Sequence, residues 1–334
     1  MAGGRVRVRG IGLGAMGMPG IDRDGGDLLL IWAALHFELP APGASRPLVA
    51  CADQPPPSPA PRWYGESGLS SALWEAPIAY ERTTTEVHVR ADACAPAGKT
   101  CTERAVGARV GSCIQEAVVF GERRWTRLRE ISRPLPFDRV PLVWERAFGG
   151  SSVVDPRVIE TRNPIGAGIY ASAEEAVGQP LPQIEHPRQR ITGVGDRPPP
   201  VGFLPRGTGW EPRVRFAGTY DEAWAETRCP LWPRDFDERF FLAAPPALVA
   251  TRRFVGGEPV ALVGMDPRGD LAFALPSARV IAEVGFRGRS EIRELELDIV
   301  SIDVIAGKLS LIFRETVPAH RQLETHVETV VRLG

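Results

Sequence analysis

Trp144-Glu145-Arg146-Ala147-Phe148-Gly149-Gly150 is followed a short way on by Arg162-Asn163-Pro164-Ile165-Gly166-Ala167-Gly168. Together they join aromatic anchors, arginines and turn-permitting glycines. Tryptophan and arginine grip other surfaces well, because each couples a large contact area to directional donors. Neither transfers a proton near neutral pH, and no nucleophile–base pair stands beside them. The stretch suggests holding rather than cutting. Arg146 and Arg162 also border a long proline- and glycine-rich run whose backbone carbonyls need donors, which a guanidinium supplies. The expectation is that they form, with Glu145 and Asn163, a buried network that fixes those loops. The competing reading makes them exposed docking groups.

Other chemistries find less support. Gly12-Leu13-Gly14-Ala15-Met16-Gly17 has the spacing of a dinucleotide-binding turn, which needs a strand before it and a helix after it. Pro19, Gly20 and Gly25-Gly26 break any such helix, so residues 1–26 are expected to be a flexible N-terminal segment. His36, His88, His186, His320 and His326 are scattered, with no Cys-x-x-Cys and no His-Glu-x-x-His spacing, and no metal or cofactor is expected. Gly-x-Ser-x-Gly does not occur. Asp235, Asp237 and Glu238 could supply paired carboxylates for glycoside chemistry. Arg234, Arg239 and the phenylalanines 236, 240 and 241 around them suit salt-bridged surface acids over an aromatic core instead. Tyr220, Asp221 and Trp224 are spaced so that the two aromatics share one helix face, which more often meets a core than a partner.

The elements that must position these groups are short. Thirty-two prolines and 35 glycines discourage long helices and favour strands joined by structured loops. Strands are predicted at 27–39, 86–90, 105–110, 114–120, 260–263, 271–275, 280–284, 295–301 and 309–314, with the helical candidates at 221–228 and 234–241. Residues 86–90 alternate apolar and polar, one face each. The fold class is mainly β: antiparallel, β-sandwich-like layers with a long irregular middle and a few short helices. Residues 27–334 form one domain in this reading, divisible into β subdomains at 27–148 and 212–334 joined by 149–211. Net charge is −1, so no pull toward nucleic acid or an anionic membrane is expected. Five cysteines suggest buried thiols in a reducing compartment, although Cys94 and Cys101 flank a turn and could pair. The apolar run from Leu28 to Leu35 is far too short to span a bilayer, and the N-terminus lacks a signal-peptide core, so a cytoplasmic location is expected.

The two opening stretches, then Leu181-Pro182-Gln183-Ile184-Glu185, Pro200-Val201-Gly202-Phe203 and the triad Trp210, Pro212, Arg213, carry a resemblance. It continues through Ala217-Gly218-Thr219-Tyr220-Asp221 with Trp224, and through Pro233 to Ala243-Ala244-Pro245-Pro246. This pattern is similar to a bacterial family encoded beside type VI secretion spikes, the domain-of-unknown-function family 2169. A weaker likeness runs from about Asp27 to Arg321. The resemblance implies a cytoplasmic adaptor or chaperone that loads effectors with PAAR or PAAR-like tips onto the VgrG spike. It implies no catalytic role for any residue, and Trp144, Glu145, Arg146, Arg162, Asn163, Tyr220, Asp221, Trp224, Asp235 and Arg239 would bind protein or scaffold the loops. Arg82-Thr83 and Arg90-Ala91-Asp92-Ala93 stand where relatives usually carry Lys-Pro and Gly-His-Ala, so no role for that histidine transfers. The competing classes are a hydrolase or carbohydrate-active enzyme using Glu145, Asp235 or Asp237, and a structural component of the spike.

Overall fold

Strands form where β-branched and aromatic residues cluster, and proline and glycine end them. The computed structural model describes residues 6–44, 47–127, 130–319 and 323–334; His320 and Arg321 lie outside them, as do the first five residues. The principal strands are β1 (Val8–Ile11), β2 (Gly14–Ile21), β3 (Asp27–Glu38), β4 (Glu86–Arg90), β5 (Glu103–Val110), β6 (Cys113–Phe120) and β7 (Ile184–Glu185). They continue as β8 (Pro259–Val263), β9 (Leu271–Ala274), β10 (Val280–Phe286), β11 (Arg289–Asp303), β12 (Lys308–Pro318) and β13 (His326–Leu333). The described residues also hold two short helices, α1 (Ala173–Ala176) and α2 (Glu222–Thr227), together with single 3-10 turns and several strands of two or three residues. At 39% strand and 8% helix the chain is mainly β, and its longer α-helix falls inside 220–241 as expected.

One sheet has the order β1-β13-β10-β11-β12-β3-β2, with β4 added beside β11 and Val49–Ala50 beside β3. Most pairings are antiparallel, but β1 runs parallel to β13 and β4 parallel to β11. The two ends of the sheet are consecutive strands that meet: a Cβ added at Gly17 of β2 would lie 2.5 Å from Val8 Cγ2 of β1. The sheet thus curls into a nearly closed, barrel-like arrangement. A second, antiparallel sheet has the order β7-β6-β5-β8-β9.

Two expectations are corrected. Val8–Ile11 and Gly14–Ile21 are strands, not a flexible lead-in, and Gly14 serves close approach: a Cβ there would sit 2.1 Å from the Pro55 carbonyl oxygen. The halves 27–148 and 212–334 do not make separate sheets, because β4 pairs with β11 and β5 pairs with β8. The alternation at 86–90 is as read, and both faces of β4 are covered: Glu86 and His88 are as buried as Val87 and Val89.

Both faces of β3 are covered, which is why its sequence alternates imperfectly. Leu29, Ile31, Ala33 and Leu35 enter the main core between the sheets, while Leu28, Leu30, Trp32 and Ala34 pack with Tyr80, Phe236 and Phe241 on the other side. Burial of each such aliphatic side chain contributes roughly 1.5–3 kcal/mol. The irregular middle has a core of its own, built from Trp125, Phe148, Ile169, Tyr170, Ala176, Leu181 and Ile191. Cys94 and Cys101 are both free thiols. No described helix is long and apolar enough to cross a membrane.

Candidate functional site

The segment after β6 turns sharply at Trp144–Arg146, a single 3-10 turn. The Trp144 indole is buried; its Nε1 donates to the Leu204 and Pro205 carbonyls at 3.1 Å each, and its ring meets Trp210 edge to face at 5.6 Å. The Trp144 backbone N–H donates to Ser71 Oγ at 2.7 Å, and Ser71 in turn donates its N–H and hydroxyl to the Glu145 carboxylate at 2.8 and 2.5 Å. Asn163 is fully buried and its Nδ2 donates to the Trp144 and Phe148 carbonyls at 2.9 and 3.0 Å. That amide ties the two motif stretches into one unit. The approach is so close that a Cβ at Gly149, where φ is +152°, would lie 2.1 Å from the Asn163 carbonyl oxygen.

Beside this unit opens a cleft of about 410 Å³. Six prolines, at 187, 199, 200, 212, 245 and 246, share its walls with Ile114, Val201, Ala247 and the Trp144 ring, while Gln115, Glu116, His186, Arg188 and Glu211 add polar groups. Arg162 and Arg206 also line it. Arg206 is buried, and its Nε and Nη2 donate to the Ala244 carbonyl at 3.2 and 2.9 Å while its backbone N–H donates to Ala243 at 2.8 Å. Burial, helped by the nearby Arg213 charge, pushes the Arg206 guanidinium down to about 10, so it remains charged at neutral pH. Arg213 fixes the segment from below: it donates to both Glu75 oxygens, to the Phe240 carbonyl at 2.7 Å and to the Arg206 carbonyl at 2.6 Å.

Residues 24–314 match the family of uncharacterized proteins conserved in bacteria, DUF2169. The chain belongs to that family. No curated protein and no solved structure matches it. In this DUF2169 chain the scattered stretches that carry the sequence resemblance converge: Trp144, Arg162, Pro200-Val201, Pro212 and Pro245-Pro246 all line the one cleft.

The ten singled-out residues fall into three places. Trp144 and Arg162 line the cleft, with Asn163 behind them. Glu145 and Arg146 line a different depression beside Pro180, Leu181 and Gln183. Tyr220, Asp221, Trp224, Asp235 and Arg239 form a separate surface unit. The buried arginine network expected of Arg146 and Arg162 is not what forms. Arg146 is half-buried and donates to the Gln183 side chain, and Arg162 is 40% exposed, chelating Glu160 with two 2.6 Å bonds and reaching the Pro198 carbonyl. Their neighbours supply local acceptors, so neither is drawn into the interior. Arg162→Ala should therefore lower stability by no more than about 1 kcal/mol, the range of exposed ion pairs. A urea midpoint shifted as far as a buried-core substitution would contradict that.

The aromatic pair at 220 and 224 is likewise not core. Helix α2 has no buried residue; Asp221 caps it by accepting from the Trp224 N–H at 2.8 Å, and Tyr220, half-exposed, stacks edge-on to Trp224 at 4.8 Å. Asp235 accepts from the Thr219 N–H and hydroxyl at 3.0 and 2.7 Å, Asp237 pairs with Arg239, and Arg239 lies 4.2 Å over the Phe216 ring. Glu238 accepts from the Tyr80 hydroxyl at 2.8 Å.

A buried ionic cluster under β4 and β11 was not anticipated. Arg82 meets Glu86 at 2.5 Å, and Asp298, fully buried, has Arg82, Arg253 and Arg314 each at 3.8 Å. Burial alone would raise the Glu86 carboxyl, but Arg82 and His88 overcome it and hold the group below the usual range. At Asp298 burial prevails over Arg82 and Arg314, and the carboxyl is raised. Glu86 also accepts the Ala244 N–H at 2.9 Å, and the carbonyl of that same residue holds Arg206. The only hint in the sequence was a glutamate and a histidine inside an apolar strand. Among the described residues no group of histidines, cysteines and acids is placed to hold a metal ion.

Proposed function

We propose that this DUF2169 protein is a non-enzymatic adaptor, or chaperone, of the bacterial cytoplasm. It binds a PAAR or PAAR-like effector and helps load it onto the VgrG spike of a type VI secretion system. The observation that carries this reading is the convergence of the resemblance-bearing residues on one preformed, proline-walled cleft. Proline walls are rigid, and a rigid surface loses little entropy when a partner docks. The acids a hydrolase would need are otherwise occupied: Glu145 by Ser71, Asp235 by Thr219 and Asp237 by Arg239. That favours gripping over acid–base work.

Co-expression with a PAAR-tipped effector from the same gene cluster, with and without VgrG, tests the proposal. The tagged protein should retain the effector in stoichiometric amount, and adding VgrG should transfer the effector to the spike or yield a three-part complex. An effector that elutes alone, and reaches VgrG equally well without this protein, would overturn it.

A further inference from the structure

Among the described residues five arginines are at least nine-tenths buried: Arg82, Arg123, Arg206, Arg213 and Arg314. Four of them face a carboxylate, respectively Glu86, Glu185, Glu75 and Asp298. Arg206 does not. Its Nε and Nη2 rest on one backbone carbonyl, and its buried Nη1 has no hydrogen-bond partner. A buried charge with no hydrogen-bonded acid is costly; Arg213 adds to that cost, and Glu86 and Glu75 offset part of it. The residue lines the cleft, with Nη1 itself closed to solvent, so an anion meets it through a shift of the side chain.

The surroundings narrow the anion. Arg162 is already chelated by Glu160, and Glu211 at the rim is paired with Arg215 at 2.5 Å. Arg188, exposed on the same lining, has no acid partner among the described residues either, but it shares that lining with Glu116. Inside the cleft wall Arg206 offers one free Nη1, which suits a single carboxylate. The six prolines offer no N–H groups and, with Ile114, Val201 and the Trp144 ring, accept an extended, apolar chain. We infer that the cleft receives an extended segment of the protein partner carrying an acidic side chain between apolar residues, with its carboxylate paired to Arg206. This rests on the adaptor reading for the identity of the partner, but not for the chemistry of the segment.

The test is selection from a displayed library of peptides with amidated C-termini, against the parent protein, Arg206→Gln and Ala247→Trp. Ala247 is an exposed residue of the cleft rim, so tryptophan there blocks the cleft without entering the core. The parent should enrich peptides with one invariant Asp or Glu flanked by apolar residues. Arg206→Gln should bind them about 30-fold or more weakly while melting no lower than the parent, because glutamine removes an unpaired charge. Ala247→Trp should lose them altogether. Enriched peptides without an acid, or unweakened binding by Arg206→Gln, would each overturn the inference. If Arg206→Gln does not fold, retention of the peptides by Ala247→Trp would overturn it instead. A parent that selects acidic peptides but never retains a PAAR-tipped effector would remove the adaptor reading and leave the cleft assignment standing. A parent that retains the effector equally well in both variants would do the reverse.

Discussion

Glu86→Gln is expected to destabilise the protein by about 3–5 kcal/mol, the usual consequence of removing one partner from a buried ion pair. The substitution keeps size and shape but leaves Arg82 buried with only Asp298, 3.8 Å away, to balance it. It also weakens the acceptor for the Ala244 N–H, and Ala244 is the residue on which Arg206 rests. The urea midpoint should fall accordingly. The pH dependence carries a second signature. The Glu86 carboxyl is depressed in the folded state, so its contribution is fully present above the ordinary carboxylate value of about 4.3. It is lost as pH falls from there toward the lowered value. Asp298 is raised and acts in the opposite sense, its contribution present at low pH and lost as pH rises through its folded value. Glu86→Gln should therefore flatten the acid limb of the stability curve. A substitution that leaves both midpoint and acid limb unchanged would show that the pair does not hold the strand in place.

Arg213→Ala should be as severe, about 3–5 kcal/mol, because one guanidinium joins three distant segments: Glu75, Arg206 and Phe240. Its loss leaves the Phe240 and Arg206 carbonyls without their buried donor. It frees the backbone that aims Arg206 into the cleft. Arg213→Lys keeps the charge but not the fork, and should recover only part of the stability. Urea unfolding of the two variants checks this, together with effector retention at a temperature where both remain folded. An Arg213→Ala midpoint close to that of the parent would contradict the role given to it.

The strands predicted from the sequence were legible because each has at least one face on a core. Segments such as Ile114 to Phe120 and Leu309 to Arg314 carry that signal locally, and they appear as β6 and β12. What the chain does not carry locally is the identity of whatever covers the second face. Glu86 and His88 alternate with valines as if toward solvent, yet a cluster containing Asp298, far away in sequence, meets them. The glycines of 10–20 resemble a flexible segment for a similar reason: the Pro55 and Val8 atoms they admit are visible only after folding. At the site, Trp144, Arg162 and Asn163 stood out because their types and spacing are unusual. Arg206 did not, since a single arginine between Pro205 and Gly207 carries no local mark of burial. Arg213 lay within a resemblance-bearing stretch, but nothing in that stretch distinguishes a buried clamp from a surface arginine.

The central claim is that the proline-walled cleft is the surface that takes the effector. Amide hydrogen exchange of the protein alone and with a bound PAAR-tipped effector addresses it directly. Because proline has no amide, protection should be read at the neighbours Val201, Gly202, Arg206 and Ala247 and around Arg162 and Asn163. The account predicts slowed exchange there, with the Tyr220–Trp224 surface unchanged. Protection confined to 220–239, with the cleft neighbours exchanging as in the free protein, would contradict it.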